Sequence, residues 1–118
     1  MRNPDAIECI ELIVPLCESV AERIERYGMT EKTVAENPDH LDLILMPMFQ
    51  IGELVGSGGY YDALQAFHPS EVWSQAYGLR NRIAHSYSKL NPAIIWDTAI
   101  TSIPELLELC TSLLEQQE

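Results

Sequence analysis

Gly56-Ser57-Gly58-Gly59 is a point at which no helix can continue, because three glycines in four residues carry a high backbone-entropy cost and offer nothing to pack. On both sides of it, apolar residues recur at three- and four-residue spacing, and nowhere do they alternate as in a strand. The chain is therefore restricted to helices, two before the break and two after it. The predicted fold is all-α: an antiparallel four-helix bundle with short connections and one short extra helix. At 118 residues it is long enough for one core and not for two, so residues 1–118 are expected to form a single domain.

Punctuation places the elements. Asn3-Pro4 pairs a capping side chain with the residue that best tolerates the first helical position. From there Ile7, Ile10, Val14, Cys17, Ala21 and Ile24 keep helical spacing as far as Gly28, the expected stop. Pro15 should kink or break this helix. A short helical turn is expected over residues 30–36. The second long helix carries Leu41, Leu45, Met48, Ile51 and Val55, with a bend at Pro47. Residues 59–67 read as a loop with at most one helical turn. His68-Pro69-Ser70 starts the third helix, whose expected buried stripe is Val72, Ala76, Leu79 and Ile83. Asn91-Pro92 repeats the opening signature, and the fourth helix carries Ile95, Ala99, Leu106, Cys110 and Leu113, with a kink or restart at Pro104.

Charge narrows the classes of function. The formal net charge of −11 opposes non-specific binding to nucleic acid. Lysine and arginine are absent between Thr33 and Leu79 and again after Lys89. Cys9, Cys17 and Cys110 are odd in number, lack metal-binding spacing and sit in apolar-periodic segments, which predicts buried thiols in a reducing compartment. The first residues lack the apolar core of a signal peptide, and the most apolar stretch, residues 41–55, is too short to span a bilayer. A cytoplasmic protein without a membrane association is expected.

Against this acidic background, Arg80-Asn81-Arg82-Ile83-Ala84-His85-Ser86-Tyr87 gathers two guanidiniums, a carboxamide, an imidazole and a phenol. Those groups can hold a phosphodiester and move protons around it. Asn81 and His85 are four apart and share a helix face, whereas Arg80 and His85 are separated by about 140° on an ideal helix. They converge only if the helix end is distorted or if a second copy completes the site. The same cations also suit a helix C-terminus with no function at all, since they complement the macrodipole. His40 and His68 have no convergent partners and read as structural. Trp73, Tyr77 and Trp96 read as core or interface anchors.

The spacing Arg80, His85, Tyr87 resembles the R-x4-H-x-Y motif of HepT-like toxins in the HEPN superfamily. Trp73-Ser74-Gln75-Ala76-Tyr77-Gly78-Leu79 resembles the family's lead-in to the arginine, and Ile51-Gly52-Glu53, Ile94-Ile95-Trp96 and Ile103-Pro104-Glu105-Leu106 resemble recurring family segments. The resemblance covers nearly the whole chain. It implies a HEPN-like bundle and a type VII-like toxin–antitoxin system, with a metal-independent endoribonuclease that acts as a homodimer and needs no cofactor. In this reading Arg80 and His85 are catalytic, Asn81 and Arg82 support the site or bind substrate, and Glu53, in a recurring family segment, is a candidate to face the groove between copies, a solvated or dipole-related role fitting it equally. Tyr87 receives AMP from a partner nucleotidyltransferase antitoxin, which blocks cleavage of RNA, with tRNA and mRNA as candidate targets. The competing expectation is a non-catalytic helical subunit that binds and presents a target to a nucleotidyltransferase.

Cleavage without metal is chemically reasonable for these residues. The RNA 2′-hydroxyl attacks the adjacent phosphorus, an imidazole moves protons near neutral pH, and an arginine fork stabilises the added negative charge. With so few cations, binding should be selective and sensitive to salt.

Overall fold

The computed structural model describes residues 3–117, and among these every regular element is helical. Helix α1 spans Pro4–Arg26, α2 Glu31–Glu36 and α3 Pro38–Gly52, the last running on into a π-helical turn at Glu53–Ser57. Helix α4 is Tyr61–Phe67 and α5 is Glu71–Ser86, followed by a 3₁₀ turn at Tyr87–Lys89. Helix α6, Pro92–Asp97, leads through a second π-helical turn, Thr98–Ser102, into α7, Ile103–Glu115. The result is an all-α, HEPN-like helical bundle. Its four long members are α1, α3 with its π turn, α5, and the α6–α7 unit.

Side-chain caps explain where most helices begin. Asn3, Asn37 and Asn91 each stand before a proline and accept a hydrogen bond from a backbone N–H of the first turn. Ser70 caps α5 in the same way, and Thr30 forms a reciprocal capping box with Thr33. The stop at Gly28 is a Schellman motif. Gly28 adopts φ +57°, its N–H donates to Glu25 O, and the Met29 N–H donates to Ile24 O.

The prolines behave less disruptively than their positions suggest. Helix α1 runs unbroken through Pro15. Pro47 is buried within α3 and leaves the Leu43 carbonyl without its usual i+4 donor. Arg23 of α1 supplies the missing hydrogen bond, its Nη1 lying 2.7 Å from Leu43 O. The α1–α3 contact thus repairs the backbone and uses one of the chain's few cations. Pro104 follows directly on the second π turn, so the fourth helix restarts there as expected.

Helix α1 packs between α3 and α7, and α3 packs between α1 and α5. The core includes Ile10, Ile13, Ile44, Met48, Leu64 and Trp73, with all three cysteines among its fully enclosed members. Burial pushes the thiols of Cys9, Cys17 and Cys110 up to about 12, aided by neighbouring Glu8, by Glu18 and by the other two cysteines respectively. They are protonated packing groups.

Three expectations need correction. Residues 61–67 form helix α4, which rests on α1 and α5: Leu64 is buried, Tyr61, Ala63 and Phe67 pack against the core, and Asn3 donates to the Ala63 carbonyl oxygen at 3.1 Å. In α1 the buried face is Ile7, Ile10, Ile13, Cys17 and Val20, whereas Val14 and Ile24 are half-buried and Ala21 is exposed. Two near-equivalent apolar faces coexist in that helix, and contact with both α3 and α7 selects between them. In α5, Val72 and Ala76 are only half-buried, and Trp73 takes the central position. Its indole N–H is satisfied by the His68 carbonyl oxygen at 2.8 Å.

Candidate active site

Helix α5 is regularly α-helical from Glu71 to Ser86, so Arg80, Asn81, Arg82 and His85 all lie on one straight frame. Departure from helical backbone begins only at Ser86, where φ is −137° and ψ 29°. Of the two ways for Arg80 and His85 to converge, a distorted helix end within residues 80–85 is thereby removed. The core-facing positions Leu79 and Ile83 set the orientation of the helix. Arg80 and Tyr87, seven residues apart, face α3. Arg82 faces the opposite flank, and half-buried Asn81 and exposed His85 occupy the crest between them.

Arg80 is the most firmly held of these residues. Its Nε donates to Glu53 Oε1 across the α3–α5 seam, and its Nη1 donates to Asn81 Oδ1 at 3.1 Å. The guanidinium carbon stands 5.3 Å from the centre of the Phe49 ring, a cation–π arrangement. The side chain of Arg80 retains 22% of its exposure, enough to meet a ligand.

Glycine makes this seam close. A methyl group at Gly52 would lie 2.6 Å from the Ala76 carbonyl oxygen and inside van der Waals contact of Arg80 Cβ. One at Gly56 would fall on the Tyr77 ring. The two glycines, four apart, let α3 approach α5 at the level of Arg80. The π-helical turn starts at Glu53 itself, and such turns recur at functional sites.

At the other end of the seam the Tyr87 hydroxyl donates to Asp42 Oδ1. That hydrogen bond raises the phenol above its ordinary range, and slight desolvation and the carboxylate's charge act in the same direction. Tyr87 is exposed and borders a groove of about 410 Å³ with Asp42, Met46, Phe49, Ile83 and Ala84. His85 is exposed, and no side-chain hydrogen bond ties it to Arg80. Arg82 lines a separate cavity of about 340 Å³ between α5 and the α6–α7 unit, where Gln75, Thr98 and Ser102 add polar groups to an apolar floor. The structure therefore brings Arg80 and Asn81 together, ties Tyr87 into the same seam, and leaves His85 and Arg82 pointing elsewhere.

The matching family model is that of the HepT-like ribonucleases, and it covers residues 17–113. The chain belongs to this family. It is also 26% identical over 109 residues to a protein of Caldanaerobacter subterraneus subsp. tengcongensis named "Putative RNase TTE0752", a match that spans 92% of this chain and 94% of that one. No solved structure matches. Membership of a ribonuclease family makes RNA the substrate class.

Asp42 and Phe49 were not singled out from the sequence, and Glu53 was left open between two roles. The available signal was spacing. Residues 42, 49 and 53 fall on one face of α3, as 80 and 87 do on α5. Which faces meet, and in what register, is a tertiary fact. Among the described residues, no helix is long and apolar enough to cross a membrane, and no group of three or more His, Cys, Asp or Glu could hold a metal ion.

Proposed function

We propose that this chain is the toxin of a type VII-like toxin–antitoxin pair, a metal-independent endoribonuclease of the cytoplasm that acts as a homodimer. The observation that carries the reading is the fixed angle between Arg80 and His85 on one regular helix. A single copy offers one half of a cleavage site, and two copies facing each other along α5 offer a complete one. Arg80 meets the phosphoryl oxygens, supported by Asn81, and Arg82 binds substrate at its flank. His85 of one copy removes the proton from the 2′-hydroxyl, which attacks phosphorus. His85 of the other copy protonates the departing 5′-oxygen, leaving a 2′,3′-cyclic phosphate and a free 5′-hydroxyl. Tyr87 is the acceptor for AMP from a nucleotidyltransferase antitoxin. Its exposed hydroxyl beside Asp42 offers a phenol whose proton has a carboxylate to go to.

Expression of the wild type beside Arg80→Ala and His85→Ala, with RNA cleavage assayed in chelator, tests the reading. Each substitution should lower cleavage by about 10²- to 10³-fold. A mixed dimer of wild type with His85→Ala should be nearly as slow as His85→Ala itself, since cleavage at the shared site needs one imidazole from each copy. Half of the wild-type activity or more in such a mixed dimer, or a wild type that is monomeric and active, would sink the shared site. A mass shift in multiples of AMP on the peptide carrying Tyr87, lost in Tyr87→Phe, is expected with the antitoxin present.

A further inference from the structure

We infer that Glu53 is a positioning residue for Arg80, selecting which edge of the guanidinium is offered to the RNA phosphate. The inference rests on Arg80 acting in cleavage. It begins with a donor count. A guanidinium has five N–H groups. One, on Nε, is taken by Glu53, and one, on Nη1, by Asn81. The remaining three lie on Nη1 and Nη2, along the end of the fork. A phosphate can bridge that end with two parallel hydrogen bonds, whereas the Nε side edge is closed to it. Without Glu53 both edges would be open, and an arginine with four rotatable side-chain bonds would sample several poses.

Three independent features show that the contact is built. Phe49, one turn before Glu53 on α3, supports the face of the guanidinium. Gly52, immediately before Glu53, has no side chain, and any side chain there would push Arg80 Cβ away. The π-helical turn widens α3 from Glu53 onward, where the carboxylate leaves the helix toward α5. Solvent does not set this pairing by chance, because Arg80 and Glu53 are both mostly covered, with side-chain exposures of 22% and 35%. The remaining positive charge is also tempered. In a chain of net charge −11, Glu53 keeps its hold on the Nε edge while a phosphodiester, whose geometry matches the fork, meets the free end.

The test compares Glu53→Gln, which keeps an acceptor of the same length, with Glu53→Ala, on purified total tRNA. Glu53→Ala should lower kcat by about 10- to 100-fold with KM changed less than about threefold, since misplacement by an ångström costs on that order. Glu53→Gln should recover most of the loss. A second readout does not depend on activity: the Arg80 Nε–H, assigned through Arg80→Lys, should be protected from solvent exchange in wild type and in Glu53→Gln and unprotected in Glu53→Ala. An unchanged kcat in Glu53→Ala, or a protected Nε–H in that variant, overturns the inference. Equal losses in Gln and Ala variants, with the Gln variant still protecting Nε–H, also overturn it, because the carboxylate would then be acting chemically. If wild type leaves tRNA intact, the ribonuclease reading fails for that substrate, and the exchange measurement still decides whether Glu53 sets the pose of Arg80.

Discussion

The α1–α7 seam and the α3–α5 seam are built on opposite principles. The first is filled by side chains that carry no charge and need no partner. Helix α1 contributes buried Ile10, Ile13 and Val20 to this side of the core and α7 contributes Leu106 and Leu113, with the three thiols enclosed among them. The second seam has glycine where the first has branched side chains, and it carries Glu53 and Arg80, Asp42 and Tyr87 in facing pairs. One seam is tolerant because any hydrophobe of the right volume satisfies it. The other is specific, because backbone distance and hydrogen-bond geometry must both be right. Apolar packing and polar pairing are thus assigned to different seams.

The sharpest way to break this contrast is to add one methyl group to the specific seam. Gly52→Ala places a carbon against the Ala76 carbonyl and Arg80 Cβ, and neither is the free end of a flexible side chain. Overpacking of that kind costs about 1–3 kcal/mol, with a matching fall in the denaturation midpoint. Because the strain is relieved by moving α5, RNA cleavage should drop by about 10²-fold even in the folded fraction. Gly56→Ala drives a carbon onto the Tyr77 ring, including the ring carbon next to Cβ, so a destabilisation of the same order is expected. If Gly52→Ala keeps wild-type activity, close approach of the helices is not what places Arg80.

The thiol seam answers to pH instead. Cys9, Cys17 and Cys110 rise from 9.0 in the unfolded chain to about 12 when folded. A raised folded-state pKa favours the protonated form, so this contribution is fully present below pH 9 and is lost as pH climbs from 9 toward 12. The denaturation midpoint of the wild type should fall across that window more steeply than that of a Cys9→Ala, Cys17→Ala, Cys110→Ala variant. Equal slopes would show that the thiols are not held in the apolar seam. Alkylation of the native protein at neutral pH should be negligible for the same reason.

How much of this could be read in advance follows the same division. The buried face of the α6–α7 unit was legible, because helical spacing identifies Ile95, Ala99, Leu106, Cys110 and Leu113, and all five are buried. Capping was legible too, since Asn-Pro announces its own geometry. The phase of α1 was not, because its residues are apolar on two faces and only neighbours choose between them. Arg80, His85 and Tyr87 stood out by chemistry and spacing, yet their partners did not. Asp42, Phe49 and Glu53 become meaningful only once α3 lies antiparallel to α5 in one register. The glycines at 52 and 56 looked like part of a helix stop, and in the fold they are a contact surface.

The smallest expected effect tests whether the polar seam contributes to stability at all. Tyr87 and Asp42 form an exposed pair, and exposed polar contacts contribute little because water replaces each partner readily. Tyr87→Phe and Asp42→Asn should each shift folding stability by less than about 0.5 kcal/mol, read as a nearly unchanged denaturation midpoint. Their functional consequences should differ. Tyr87→Phe removes the proposed AMP acceptor and leaves a ribonuclease that its antitoxin cannot silence by modification. Asp42→Asn keeps the hydroxyl but removes the charge that draws its proton, so modification should slow without being abolished. A loss of several kcal/mol in either variant would mean that this end of the seam holds the bundle together, and the division between a stabilising side and a chemical side would fail there.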